Sequence, residues 1–248
     1  MSNKNLPIFI IVIVLIAVVI AAIALFRNPG TTTPPPKNTN TNSNFADTYA
    51  KLPPGAQPSQ SKGDPAAKVT IEEFGDFSCP TCGLFHQNLK DIEKSYGSKV
   101  RIIFRHFPLN NVRGHENSYN AARAAEAAGR QGRFWEMQNL LFTNQKTWTV
   151  MSEGEAKKTF SDYAKSIGID VANFEQEMLG QLVSARIADD MNRGKAVPVN
   201  GTPTVIINGN RMLANNEIAN LPDLRAVIEA EFQKAGAPAQ SNSNQNAQ

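Results

Sequence analysis

The chain has 248 residues with 25 basic and 22 acidic side chains, a balance too even to point to nucleic acid. Two cysteines exclude a disulfide-stapled scaffold, and also any four-cysteine zinc or iron–sulfur site within one chain. With one apolar run near the N-terminus set aside, roughly 36% of the remainder is hydrophobic, the composition of an ordinary soluble domain and not of a multi-span membrane protein.

Leu6 to Phe26 is 21 residues in which only Pro7 is not strongly apolar. A helix of that length rises about 31 Å, close to the hydrocarbon thickness of a bilayer. Residues 1–26 therefore read as one transmembrane signal anchor. A cleaved signal peptide is the alternative, with Ala22-Ile23-Ala24 as a small-x-small site. Both readings put the following domain on the extracytoplasmic side of the cell membrane. Residues 27–66 hold eight of the fifteen prolines among Thr, Asn, Ser and Gly, and read as a disordered linker. Within it Phe45 to Leu52 can form one short helical turn; a coil of 40 residues spans roughly 35 Å on average. Residues 67–235 are expected to form a single domain and 236–248 a disordered tail.

Val69 to Phe74 is a β-rich run that leads into Cys79-Pro80-Thr81-Cys82. Leu84, Phe85, Leu89 and Ile92 then recur at helical spacing until Gly97, and Val100 to Phe107 is a second strand stopped by Pro108. Strand, helix, strand is a βαβ unit, which implies parallel strands. A helical insertion follows over about 115–195: Asn117 to Ala128, Arg133 to Phe142, a helix opened by the Ser152/Glu155 capping box, one capped by Asp170, and one from Gln181 to Gly194. Thr204 to Ile207, Asn208-Gly209 and Arg211 to Ala214 read as a hairpin, and Leu221 to Phe232 as a last amphipathic helix. Arg101 and Arg105 are expected to be solvated strand charges. His106 and His115 read as structural, and Trp135 and Trp148 as core or groove aromatics.

A C-x-x-C between a strand and a helix reads as a redox dithiol, for a physical reason. The thiolate is the nucleophile, and a free thiol with pKa near 8.5 supplies little of it at neutral pH. A cysteine at a helix N-terminus faces unpaired N–H groups and the positive end of the helix dipole, which lower its pKa. Pro80 suits the first helical position, because its missing N–H has no helical partner to lose. Cys79 is thus the exposed, attacking thiol, and Cys82, one turn on, resolves a mixed disulfide.

Gly63-Asp64-Pro65, Val69-x-Ile71-x-Glu73-Phe74-x-Asp76-Phe77-x-Cys79-Pro80-x-Cys82 and Gly201-Thr202-Pro203-Thr204 closely resemble the DsbA-like branch of the thioredoxin superfamily, over roughly Gly63 to Phe232. The resemblance implies an α/β, thioredoxin-like fold with an inserted helical subdomain, preceded here by one transmembrane helix. It implies a cis Thr202–Pro203 bond beside the cysteines, with Thr202 lining the site. It also implies a buried acidic residue at Glu73 that assists proton transfer; the plainer reading of Glu73, as of Glu72, is a surface strand charge. Thr81 departs from the histidine of the best-known member, which removes a positive neighbour for the thiolate. The activity implied is thiol:disulfide exchange without a cofactor, on unfolded or reduced secreted proteins, with a membrane quinone-linked partner for reoxidation.

Other readings remain beside this one. The same scaffold serves disulfide reductases and isomerases. Cys79, Cys82 and His86 are conceivable ligands of a metal-binding or peptide-binding module, although a structural zinc site needs a fourth. Otherwise His86 is a helix-surface or groove residue.

Overall fold

The computed structural model describes residues 43–236, so the apolar run Leu6–Phe26 and residues 237–248 lie outside it. Among the described residues no helix is long and apolar enough to cross a membrane. The elements in chain order begin with α1 (Ser43–Ala50), β1 (Gln60–Lys62), β2 (Val69–Gly75), α2 (Pro80–Tyr96) and β3 (Val100–His106). The inserted helices follow: α3 (Ser118–Arg130), α4 (Phe134–Thr143), α5 (Gln145–Trp148), α6 (Glu153–Ser166), α7 (Val171–Met178) and α8 (Gln181–Ala196). The chain closes with β4 (Thr204–Ile207), β5 (Arg211–Met212), α9 (Asn215–Ala219) and α10 (Leu221–Gly236).

The sheet runs β1-β3-β2-β4-β5. β2 lies parallel to β3 and antiparallel to β4, as a βαβ unit followed by a hairpin requires. The hairpin turns on Asn208 and Gly209, both at positive φ (52° and 66°), the backbone that an Asn-Gly pair tolerates best. Side chains alternate across the sheet. On one face Val69, Ile71, Val100, Ile102, Val205 and Ile207 pack against Phe85, Leu89 and Ile92 of α2 and Leu224, Val227 and Ile228 of α10. On the other, Phe74 and Ile206 pack with Phe107, Val197 and Tyr49. The inserted helices bury Trp148, Phe160, Phe174 and Met137 in a core that continues to Phe77, Cys82 and Phe104.

The stretch expected to be linker as far as residue 66 is folded from Ser43 onward, which corrects that boundary. α1 lays Tyr49 over Phe74 and Ile206, and β1 pairs antiparallel with β3 from Gln60↔Phe104 to Lys62↔Ile102. Gln60-Ser61-Lys62 has no apolar alternation, so its stability comes from backbone pairing with a strand some 40 residues on, which composition does not register.

Buried charge locks this strap down. Glu72 accepts from Arg105 Nε at 2.8 Å, from Arg193 Nε at 2.9 Å and from the Tyr49 hydroxyl. Arg105 also reaches Asp190 Oδ1 at 3.0 Å and the Ala56 carbonyl at 2.9 Å, while Arg193 reaches the Pro53 carbonyl at 2.7 Å. Glu72 and Arg105, read from sequence as surface charges, are thus buried partners. A charge can leave water when its hydrogen bonds are replaced, and here α1, the strap and α8 replace them.

Candidate dithiol site

Cys79 is the residue immediately before α2, in extended backbone (φ −73°, ψ 119°), with Pro80 in the first turn. Both cysteines are unbonded thiols. Cys82 is fully buried and Cys79 retains 8% exposure, so Cys79 is the accessible member of the pair but more enclosed than expected. Pro80 and Thr81 are exposed beside it.

The two thiols are driven apart electrostatically. A hydrogen bond from Cys82 is the main force pulling Cys79 down from the usual thiol range to about 5, against burial. The Thr202 hydroxyl and the backbone N–H groups of Cys82 and Thr81 add to it. At pH 7 about 99% of a thiol with that pKa is thiolate, against about 1% for one near 9. Burial and the same hydrogen bond push Cys82 well above the ordinary thiol range, with the charges of Glu73 and Cys79 acting in the same direction.

Glu73 lies on β2 between Phe104 of β3 and Val205 of β4, at 1% exposure, and its Oε1 has no hydrogen-bond partner. Burial, and then the Cys79 charge, raise it to about 8, with Lys62 acting against them. The surface-charge reading of Glu73 is therefore replaced by a buried carboxyl close to both thiols. The Thr202–Pro203 bond is cis. In its protonated form the Cys79 thiol donates to the Thr202 carbonyl at 3.1 Å, across 123 residues of sequence. In this thiol form the Thr202 and Ser78 hydroxyls are buried without hydrogen-bond partners; the Thr202 hydroxyl supports Cys79 once it is a thiolate. Cys79, Cys82, Pro80, Thr81, Glu73, Thr202 and Pro203 are thus brought to one place.

Sequence reading missed two neighbours. Asp76 is 1% exposed and accepts four hydrogen bonds, from Ser78 N (2.7 Å), Ser118 Oγ (2.7 Å), Leu109 N (2.8 Å) and His115 Nδ1 (2.8 Å). Gln145 Nε2 donates to the carbonyls of Phe77 at 2.6 Å and Cys79 at 2.8 Å. Asp76 was visible in the motif but its partners were not; Gln145, 66 residues beyond Cys79, carried no signal.

His86 is buried, not on the helix surface: it stacks on Phe142 with centroids 5.0 Å apart and faces Asn139 Oδ1 at 3.3 Å. Burial lowers it to about 4. Among the described residues the group of His, Cys, Asp and Glu close enough to share an ion is His106, Glu126 and Asp190, and it excludes the two cysteines and His86. Burial raises Glu126, but the hydrogen bond from His106 at 3.1 Å and the Arg186 guanidinium at 2.6 Å outweigh it and hold it at about 2. That group is a buried ion-pair network, on the evidence of its donors.

A family model described as thioredoxin matches residues 56–230. A curated relative, the Na(+)/H(+) antiporter NhaA 1 of Mycolicibacterium gilvum, is 37% identical over 154 residues, covering 60% of this chain and 23% of the antiporter. The chain therefore spans about a quarter of the length of such relatives. Oxidised BdbD of Bacillus subtilis superposes with a TM-score of 0.61 at 23% identity, covering 71% of this chain and 93% of that one. The thiol-disulfide exchange protein alpha-DsbA2 of Wolbachia pipientis gives 0.60 at 20% identity, covering 77% and 93%. At these identities the likeness is one of fold. The chain belongs to the thioredoxin family and has the fold of DsbA-like structures, with helices inserted between β3 and β4.

Proposed function

We propose that the protein is a membrane-tethered, extracytoplasmic thiol:disulfide oxidoreductase that introduces disulfides into reduced secreted proteins through Cys79 and Cys82. The observation that carries this reading is the split between the thiols: Cys79 stabilised as thiolate at the start of α2, Cys82 protonated behind it.

In the oxidised protein a substrate thiolate attacks Cys79 Sγ of the Cys79–Cys82 disulfide, and the S–S bond breaks with its electron pair on Cys82. Cys82 has the high proton affinity, and Glu73, poised near about 8, is the adjacent buried acid able to supply the proton. A second substrate thiolate then attacks the substrate sulfur of the mixed disulfide. Cys79 leaves as a thiolate, and a low pKa makes it a good leaving group. The substrate leaves oxidised by two electrons and the dithiol is left reduced. A membrane quinone-linked partner fits the disposal of those electrons. In this reading the loop of Thr202 and Pro203, whose Thr202 carbonyl lies 3.1 Å from Cys79 Sγ, holds substrate backbone during both steps.

Tethering rests on Leu6–Phe26, whose length and composition suit a single membrane span. The decisive measurement is the Cys79–Cys82 reduction potential: near about −120 mV supports an oxidase, and near about −270 mV a reductase. Cys79→Ser is expected to abolish dithiol oxidation of a reduced peptide; full activity in that variant ends the proposal.

A further inference from the structure

α5 is a single helical turn that reaches out of the inserted helices to the dithiol loop. Its far end is fixed: Trp148 is fully buried, donates its indole N–H to the Leu141 carbonyl at 2.8 Å and meets Phe160 edge-on at 5.3 Å. Its near end is Gln145, at 9% exposure, whose amide nitrogen reaches the carbonyls of Phe77 (2.6 Å) and Cys79 (2.8 Å). Between them, the Ser78 N–H is taken by Asp76 at 2.7 Å. The backbone immediately before Cys79 is therefore gripped from two sides, by Asp76 at the strand end and by Gln145 of the insertion.

We propose that Gln145 is a positioning residue for thiol exchange: by holding the Phe77 and Cys79 carbonyls it keeps the Cys79 sulfur over the free N–H groups at the start of α2. The inference rests on the reading of Cys79 as the exchanging thiol. Two effects of the amide act in the same direction. It fixes the extended backbone of Cys79 (φ −73°, ψ 119°), which places Sγ within reach of the N–H groups of Thr81 and Cys82. It also sets the positive end of an amide dipole on the Phe77 and Cys79 carbonyls, in the backbone that flanks the thiolate in a poorly solvated site. Gly83, one residue after Cys82, makes the approach possible: a Cβ there would lie 2.9 Å from Gln145 Oε1.

That close approach supplies a test separable from folding. Gln145→Met keeps length and removes both donors. Ultraviolet titration of thiolate absorbance on the reduced full chain is expected to show the Cys79 midpoint raised by about one pH unit, a tenfold change in the ionisation constant. The reduction potential falls correspondingly by about 30 mV. Gly83→Ala pushes on the movable end of Gln145 while adding helix propensity. Its thermal midpoint is expected to hold or rise while its thiolate midpoint rises, a combination that a merely structural role for Gln145 does not give. In the Gln145→Met background, Gly83→Ala should add no further titration shift.

A folded Gln145→Met protein with an unchanged thiolate midpoint overturns the inference, as does a Gly83→Ala shift that persists in the double variant. If Gln145→Met does not fold, Gly83→Ala alone decides, and an unmoved midpoint there overturns it. A wild-type midpoint in the ordinary thiol range instead overturns the reading of Cys79 itself, and the inference with it.

Discussion

Glu72 and Glu73 are neighbours on β2, both almost fully buried, and they behave in opposite ways. Strand alternation turns Glu72 to the face covered by α1 and α8, where burial is outweighed by Arg193, Arg105 and Tyr49 and its pKa falls below the usual carboxylate value. It turns Glu73 to the face beneath α2, where burial has no partner to oppose it but the more distant Lys62, and its pKa rises to about 8. Equal burial thus makes one carboxylate a permanent anion that fastens the chain and the other an acid that can exchange a proton near pH 7. Partners, not depth, decide between the two.

The largest expected effect that would break this contrast is Glu72→Ala. Two guanidinium groups, of Arg105 and Arg193, would be left buried without their shared carboxylate, a loss on the order of 3–5 kcal/mol. For a domain of this size that corresponds to roughly a 10 °C drop in thermal midpoint. Glu73→Gln should act on chemistry, slowing formation of the mixed disulfide by about 10- to 100-fold in stopped-flow assays at pH 7. Its effect on stability has a definite sign with pH. Because the folded pKa of Glu73 (about 8) lies above the unfolded value near 4.5, the folded state binds the extra proton between them. Wild-type stability relative to Glu73→Gln should therefore be highest below about pH 4.5, fall as pH rises towards 8, and then level off. Glu72→Gln should show the reverse, a wild-type advantage that is full above about pH 4.5 and lost as pH falls through the lowered folded pKa. Urea midpoints across the pH range measure both. The smallest effect is expected for Tyr49→Phe, which removes one hydrogen bond to Glu72, worth about 1 kcal/mol, and keeps the ring under Arg193.

What could be read from sequence was local in sequence. The βαβ unit, the place of Cys79 before α2, the Asn208-Gly209 hairpin and the Ser152 capping box each depend on residues within a few positions of one another. The cis bond at Pro203 was foreseen through family resemblance and not through any local rule. What escaped was held by distant partners. Arg105 looked solvated because Glu72 and Asp190 lie 33 and 85 residues away, and β1 looked like linker because its pairing strand had to be in place first. Gln145 is an ordinary polar residue in sequence, and only the packing of Trp148 brings its amide to the Cys79 loop. Glu73 was the hardest to judge, since its neighbour Glu72 has the same residue type, the same strand and nearly the same exposure.

The strap that begins at Ser43 also sets where the domain can be cut: a chain begun at Ala67 would lose β1 and, with it, the Tyr49 hydroxyl on Glu72 and the Ala56 and Pro53 carbonyls that hold Arg105 and Arg193.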